Sequence, residues 1–133
     1  MKIEHLGIAV QSLGLSDELF SKLLGEESYK KETVEREGVT TSFYKVGESK
    51  IELLEATRPE SPISKFIEKK GEGIHHLAFA AEGLQASLDY LAGQGVQLID
   101  KAPRKGAEGL HIAFLHPKAT FGVLTELCED PNK

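Results

Sequence analysis

Short stretches in which apolar and polar residues alternate make up most of this chain, and two amphipathic segments interrupt them. Alternation with many β-branched residues predicts strands, because successive side chains of a strand point to opposite faces. Segments 16–24 and 84–92 predict helices, since their apolar residues recur at helical spacing and a glycine follows each. Ser16 is the expected N-cap of the first helix, whose expected apolar face comprises Leu19, Phe20, Leu23 and Leu24. Strands are predicted over 2–10, 27–34, 39–46, 49–55, 74–81, 96–99, 110–115 and 122–127.

The second half of the sequence repeats the first. The segment that begins at His5 corresponds to the segment that begins at His76, an offset of 71 residues (76 − 5), and the same offset relates Phe43 to Phe114. Glu52 corresponds to Glu126 at an offset of 74 residues (126 − 52), which three extra residues near Lys118 would explain. Several matches in order indicate a duplicated unit, and each copy is predicted to be βαβββ.

A short helix is expected between the two copies. Ser61 is suited to the N-cap of this helix and Pro62 to its first position, while Gly71 and Gly73 would end it. We therefore expect a single domain over 1–133, made of two repeats at about 1–58 and 72–130 joined by this helix. The predicted fold class is α+β, with two tandem βαβββ modules.

Composition and charge narrow the class of protein. The chain has 133 residues, of which 40% are hydrophobic and 28% charged, proportions typical of a globular domain. The net charge of −5 disfavours generic nucleic-acid binding, which needs a basic surface. No apolar run approaches the roughly 20 residues that span a bilayer, and the N-terminus lacks the apolar core of a signal peptide. The single cysteine, Cys128, excludes an intramolecular disulfide, so we expect a cytoplasmic protein.

The repeat places one histidine and one glutamate at equivalent positions in each copy, namely His5 with Glu52 and His76 with Glu126. Pseudo-twofold symmetry would bring these four side chains together, and imidazole and carboxylate groups suit a divalent first-row metal ion. Each residue alone has an ordinary explanation, such as a surface histidine or a polar position on a half-exposed strand. Their paired recurrence favours a metal site, and a buried Glu126 without a partner would be costly.

With these residues the sequence resembles those of the vicinal oxygen chelate superfamily and, within it, those of the methylmalonyl-CoA epimerase family. The segments that carry the resemblance begin at His5, Ile51, Ser61 and Gly73, and the most specific one runs from Phe114-Leu115-His116-Pro117-Lys118 into the stretch 122–127. The resemblance implies two βαβββ modules that form a cupped mixed sheet around a metal. It also implies the metal ligands His5, Glu52, His76 and Glu126, and one divalent ion per subunit (cobalt, zinc, manganese, nickel or magnesium).

The implied reaction interconverts (2R)- and (2S)-methylmalonyl-CoA by proton abstraction and redelivery at C2 through a metal-stabilised enolate. An acyl-CoA substrate and a homodimer are the expected partners, with neither nucleic acid nor membrane. A catalytic carboxylate proposed for some members would fall on the strand after Gly38, where this chain has Thr40 and Thr41 and no acid is expected nearby. Glu126 and Glu52 are therefore the hypothesised bases, one on each face of the substrate.

Four further residues are candidates for other roles, and two other functions fit the same residues. Thr41, His111 and Lys118 are candidate substrate-binding residues, although His116-Pro117-Lys118 is equally suited to a turn. His75 neighbours His76 and is expected to point to the opposite face and into the core. A glyoxalase I-like lactoylglutathione lyase would use the same four ligands. Some epimerases carry Gln where this chain has Glu52, whereas glyoxalase I carries Glu, so this position does not decide between the two functions. A non-catalytic, antibiotic-binding relative of the same fold is a further alternative.

Overall fold

The computed structural model describes residues Met1–Lys133 and contains eight strands and three helices. None of the helices is both long enough and apolar enough to cross a membrane. In chain order the elements are β1 (Lys2–Ala9), α1 (Leu13–Leu24), β2 (Lys30–Val34), β3 (Val39–Val46), β4 (Ser49–Ala56), α2 (Pro62–Lys70), β5 (Gly73–Ala80), α3 (Leu84–Gly93), β6 (Arg104–Lys105), β7 (His111–Leu115) and β8 (Thr125–Glu129).

Internal contacts divide the chain into two compact units. The first unit is His5–His75, and the second unit is His76–Lys133 together with Met1–Glu4. This division falls close to the boundary between the two sequence repeats. The expectation of a single domain over 1–133 stays a prediction.

Both units arrange their strands in the same order. In the first unit the order is β2-β3-β4-β1, and in the second it is β6-β7-β8-β5. The innermost pair is parallel in each case, β1 with β4 and β5 with β8, and the other pairs are antiparallel. The predicted βαβββ repeat is therefore confirmed.

Helix α1 begins earlier than the sequence pattern indicates. Ser12, and not Ser16, is its N-cap, and the Ser12 hydroxyl accepts a hydrogen bond from the backbone N–H of Leu15. Ser16 lies inside the first turn, where its hydroxyl donates to the carbonyl of Ser12 at 2.7 Å. Gly25 ends the helix in the left-handed conformation, as expected.

Helix α1 also buries a different face from the predicted one. Phe20 and Leu24 pack against the sheet, whereas Leu19 and Leu23 are 59% and 68% exposed. Earlier initiation allows Leu13 to join Phe20 and Leu24 on the buried side, since these positions fall on one face of the longer helix.

Helix α2 matches the predicted linking helix. The Ser61 hydroxyl accepts a hydrogen bond from the N–H of Ile63 at 3.2 Å, Pro62 is the first helical residue, and Gly71 follows the last turn. Ser61 is fully buried, so this cap also fixes the direction in which the chain leaves β4.

A different set of elements packs on each of the two faces of each sheet. In the first unit one face packs on α1 through Val10, Leu13, Tyr44 and Leu53. In the second unit the corresponding face packs on α3, through a cluster that comprises Ala81, Leu84, Leu88, Ala113, Leu115 and Leu127. We call the other face of each sheet, away from α1 or α3, the ligand face. Part of the first unit's ligand face is covered by α2, whose Ile63 packs on Ala9 and Leu54.

The prediction of a strand over 96–99 is wrong. Only Leu98 forms a bridge, to Leu115, and the outermost strand of the second unit is the two-residue β6. Just beyond this bridge, the carbonyl of Phe114 accepts hydrogen bonds from the N–H groups of Ile99 and Asp100 at 2.9 and 3.1 Å. The Asp100 carboxylate in turn accepts the Phe114 N–H at 2.8 Å. The Asp100 side chain and two loop amides thus satisfy the backbone N–H and carbonyl of Phe114, where β7 has no neighbouring strand on its outer side.

Candidate functional site

Each unit carries one buried histidine–glutamate pair on its ligand face. In the first unit His5 Nδ1 lies 3.2 Å from Glu52 Oε2, and in the second His76 Nε2 lies 3.4 Å from Glu126 Oε1. All four residues are at most 7% exposed. Two such pairs at equivalent positions are the main chemical feature of the ligand faces.

The strand ladders explain why each glutamate lies beside its histidine. In the first unit Gly7 is opposite Glu52 in the parallel β1–β4 ladder, and His5 lies two residues before Gly7 on the same face. In the second unit Ala78 is opposite Glu126, and His76 lies two residues before Ala78. The same two-residue step in both ladders produces the same pairing.

The chemistry of these donors fits a divalent metal ion. Two cis ligands at about 2.1 Å from one ion would lie about 3.0–3.4 Å apart, for right-angled and tetrahedral geometry respectively. The two measured distances, 3.2 and 3.4 Å, fall in this range. His5 and Glu52 belong to a group of buried donors close enough to share an ion. Burial of carboxylates is costly unless they are paired or coordinate a metal, so this donor set is suited to a bound cation.

A phenylalanine lies directly beside each glutamate. Phe43 is opposite Glu52 in the β3–β4 ladder, and Phe114 is opposite Glu126 in the β7–β8 ladder. The ring of Phe114 also contacts the imidazole of His76 edge-on, with ring centroids 5.7 Å apart. The 71-residue offset between the two phenylalanines could have identified these neighbours from the sequence.

A cation lies over each of these phenylalanine rings. Lys30 Nζ is 5.8 Å from the ring centroid of Phe43, and Arg104 Cζ is 5.5 Å from that of Phe114. Asp100 anchors the second arrangement, because its carboxylate accepts a hydrogen bond from Arg104 Nε at 3.3 Å as well as from the Phe114 N–H. We call Asp100, Arg104 and Phe114 the Asp100 buttress. No sequence signal pointed to Asp100.

The three candidate substrate-binding residues lie in different environments. Thr41 is 2% exposed and lies on the ligand face, opposite Leu54 of β4. His111 pairs with Glu129 and alternates with Ile112, so it lies on the face away from Glu126. The candidate His111 therefore does not share a face with the predicted metal ligands. Lys118 is exposed in a 3₁₀ turn, where its N–H donates to His116 Nδ1 at 3.1 Å, as the turn interpretation predicts.

His75 occupies an apolar environment, as predicted. Its ring contacts Phe66 of α2 edge-on, with centroids 5.0 Å apart. Burial lowers the pKa of His75 to about 4, so the ring is neutral at physiological pH. Cys128 is also buried, and its thiol donates to the carbonyl of Phe79.

Comparisons with known proteins agree with this architecture. A sequence model of the glyoxalase/bleomycin resistance protein/dioxygenase superfamily matches residues 4–114. The chain is 44% identical to the uncharacterized protein YqjC of Bacillus subtilis, over 96% of this chain and 91% of that protein. It is 36% identical to the mitochondrial methylmalonyl-CoA epimerase of Dictyostelium discoideum, over 96% of this chain and 78% of that protein.

Solved structures extend the similarity to the fold. A Streptomyces coelicolor methylmalonyl-CoA epimerase variant in complex with 2-nitronate-propionyl-CoA matches with a TM-score of 0.93 and 36% identity, covering 98% of this chain and 95% of that one. The predicted fold class, α+β with two tandem βαβββ modules in a mixed sheet, is confirmed by this match. The chain therefore belongs to the glyoxalase/bleomycin resistance protein/dioxygenase superfamily and, within it, to the methylmalonyl-CoA epimerase family.

Proposed function

We propose that this protein is a metal-dependent methylmalonyl-CoA epimerase that interconverts the (2R) and (2S) forms of its substrate. The observation that carries the proposal is the pair of buried His–Glu couples at equivalent ladder positions. The similarity to methylmalonyl-CoA epimerases over nearly the whole chain supports the choice of substrate. An acyl-CoA whose C2 proton is acidified by the adjacent thioester suits such a site.

His5, Glu52, His76 and Glu126 are the proposed ligands of one divalent ion per subunit. The two imidazoles would bind as neutral donors and the two glutamates as carboxylates, a mixed set that suits cobalt, zinc, manganese, nickel or magnesium to different degrees. When bound, such an ion acts as a Lewis acid that holds the substrate oxygens and stabilises the enolate. The burial of all four side chains supports this role, because it keeps water from competing for the donors.

Inversion at C2 requires one proton carrier on each face of a planar intermediate. Glu126 and Glu52 are the proposed carriers, since the duplication gives each module one glutamate in the same position. One carboxylate would take the proton as the C–H bond breaks, and the other, in its acid form, would deliver a proton to the opposite face. The protonated and deprotonated glutamates then exchange with solvent, so no net proton is consumed.

Thr41 and Lys118 are proposed to contact the substrate in different ways. Thr41 lies on the ligand face two residues before Phe43, where its hydroxyl would hydrogen-bond an acyl group. Lys118 is exposed, so its ammonium would contact a CoA phosphate. His111 lies on the other face of its strand and is assigned no substrate contact.

A homodimer in the cytoplasm is proposed for the assembly and compartment. A reducing compartment agrees with the single buried cysteine, which forms no disulfide. Leu15, Leu19 and Leu23 form an exposed row along α1 on which a partner could pack. Light scattering coupled to size exclusion would measure the mass of the particle, and a monomer would contradict the dimer.

The test of the function is exchange of the C2 proton of methylmalonyl-CoA in D2O. Metal-loaded protein should incorporate deuterium and lose optical purity, and protein stripped by a chelator should do neither until metal is restored. Absence of exchange with every metal tried would refute the epimerase. Turnover of the hemithioacetal of methylglyoxal and glutathione would then favour the glyoxalase I-like lyase, and stoichiometric ligand binding without metal would favour a binding protein.

Substitution of the glutamates tests their roles. Glu126→Gln and Glu52→Gln should each lower epimerisation by at least about 100-fold, the usual contribution of a general base or acid. Metal content has to be measured in the same samples, because both residues are also proposed ligands. Glu18→Gln is a suitable control, since Glu18 forms only an exposed ion pair with Lys22 on α1. Full activity in a fully metallated Glu126 or Glu52 variant would exclude that residue as a base.

A further inference from the structure

A second carboxylate lies on the ligand face of the first unit. Glu32 of β2 is directly opposite Thr41 of β3, and Lys30 is directly opposite Phe43. Phe43 is in turn opposite Glu52, so the alternation along the strands places Glu32, Thr41 and Glu52 on one face. The sequence expectation of no acid near Thr41 is therefore wrong, because the acid comes from the neighbouring strand.

Glu32 forms an ion pair with a lysine that also contacts the ring of Phe43. Lys30 Nζ lies 3.3 Å from Glu32 Oε1. The same ammonium lies 5.8 Å from the ring centroid of Phe43, the residue beside Glu52. The lysine thus lies close to both the Glu32 carboxylate and the ring beside Glu52.

The exposure of Glu32 suits proton transfer to and from water. Its side chain is 29% exposed, compared with 7% for that of Glu52. A carboxylate that takes a proton from a substrate must release it before the next turnover, and partial exposure gives it a route to solvent. Glu32 is also not among the proposed metal ligands, so it can carry a proton without leaving the ion.

We propose that Glu32 is a catalytic residue that exchanges the C2 proton on the face of the first unit. This inference rests on the proposed epimerase function and refines it, because Glu52 can then remain a metal ligand throughout. In one direction the Glu32 carboxylate takes the proton as the C–H bond breaks and the electron pair moves into the enolate. Protonated Glu126 then delivers its proton to the opposite face of C2, and both glutamates re-equilibrate with water.

A purely structural role for Glu32 makes a different prediction. Its partner Lys30 is 42% exposed, and ion pairs at such positions contribute little to stability. Glu32→Gln should therefore fold as the wild type does and bind the same amount of metal. A loss of catalysis in this variant would not follow from a loss of structure.

The experiment compares wild type, Glu32→Gln and the control Glu18→Gln, each fully metallated, with single enantiomers of methylmalonyl-CoA in D2O. In Glu32→Gln we expect epimerisation to fall by at least about 100-fold. One enantiomer should still exchange its C2 proton with retention of configuration, because the base on the other face is intact. Glu18→Gln should behave as the wild type. Retained single-face exchange is a result that misfolding would not give.

Each outcome distinguishes the two proposals. Epimerisation by Glu32→Gln at the wild-type rate would overturn the role of Glu32 and leave the proposed function and Glu52 in place. Equal loss of exchange for both enantiomers would also overturn it, since a base on one face affects one enantiomer's exchange. An inactive but metal-bound wild type would refute the proposed function itself, and the role of Glu32 with it.

Discussion

The ring of Phe114 meets the imidazole of His76 edge-on, with the ring planes at 85°. Phe114 belongs to the Asp100 buttress, in which the Asp100 carboxylate binds both the Phe114 backbone N–H and the Arg104 side chain. Asp100 therefore supports a ring that contacts a proposed metal ligand, although Asp100 is not itself a ligand. Groups that hydrogen-bond a metal ligand directly typically change metal affinity or activity by about 10- to 100-fold, so an indirect support such as Asp100 should have an effect at the lower end of that range.

Asp100→Ala should accordingly weaken divalent-metal binding by about tenfold. The affinity can be measured by competition with a chromophoric chelator, without any substrate. Asp89→Asn is the matched control, because Asp89 only accepts a hydrogen bond from Gln85 on the exposed side of α3. A folded Asp100→Ala protein with wild-type metal affinity would show that the buttress does not position His76.

Asp17 is the centre of a polar cluster beneath α1. Ser42 and Tyr44 each donate a hydrogen bond to Asp17 Oδ1 at 2.6 Å, and Lys31 Nζ lies 3.2 Å from Oδ2. Burial alone would raise the pKa of Asp17, but these donors outweigh it and hold the pKa below its ordinary value of 3.8. Burial and the neighbouring Asp17 carboxylate raise the pKa of Tyr44, so both groups keep the hydrogen bond at neutral pH.

Asp17→Asn should therefore lower the free energy of unfolding at pH 7 by about 2 kcal/mol. The pKa of Asp17 is lower in the folded chain than in the unfolded one, so its contribution is complete above the unfolded value. It disappears as pH falls through the folded value. Urea titrations of wild type and variant should thus give a difference that shrinks between pH 5 and the acid limit of folding. A difference independent of pH would contradict this account.

The two helices that cover the sheets offer a comparison of buried and exposed leucines. Leu88 of α3 is fully buried in the second unit's core, whereas Leu19 of α1 is 59% exposed. Leu88→Ala should cost about 3 kcal/mol, because it removes packed methyl groups and leaves a cavity. Leu19→Ala should change stability by less than about 0.5 kcal/mol. Chemical denaturation measures both, and equal effects would contradict the assigned α1 face.

Gly38 and Gly47 separate backbone strain from steric contact. Both have positive φ, 66° and 61°, but a Cβ at Gly38 would lie 2.9 Å from Arg58 Cζ, while one at Gly47 would meet nothing within 4 Å. Alanine at either position should cost about 1 kcal/mol for the left-handed conformation. Gly38→Ala should cost more, because the Arg58 side chain that donates to the Glu35 carbonyl would have to move. Equal losses in thermal unfolding would show that Arg58 adapts freely.

The sequence predicted those features that the duplication repeats. His5 and His76, with Glu52 and Glu126, could be matched because the two copies preserve their spacing apart from three residues. Helix α2 could be predicted because Ser61 and Pro62 specify its start locally. Contacts between strands could not be predicted in this way, and so Glu32 was missed: its proximity to Thr41 depends on the register of a hairpin.

Other errors arose where two local interpretations compete. Ser16 is a good capping residue, but so is Ser12, and packing of Leu13 against the sheet favours the earlier start. Segment 96–99 has strand-like residues, yet only Leu98 pairs with β7. Beyond Leu98, the Asp100 side chain accepts the Phe114 N–H in place of a ladder hydrogen bond. In both cases the deciding contact is distant in sequence.

The outermost strands of the two modules are unequal, since β2 has five residues and β6 has two. The inner three strands, which carry the His–Glu couples, kept a common pattern, while the outer edge of each copy diverged. One copy retained a full strand that presents Glu32, and the other retained a loop fastened by Asp100. Each module thus combines the same His–Glu couple with a different outer edge, and unlike edges would suit the proposed substrate, whose two ends, a small acid and a long nucleotide carrier, also differ.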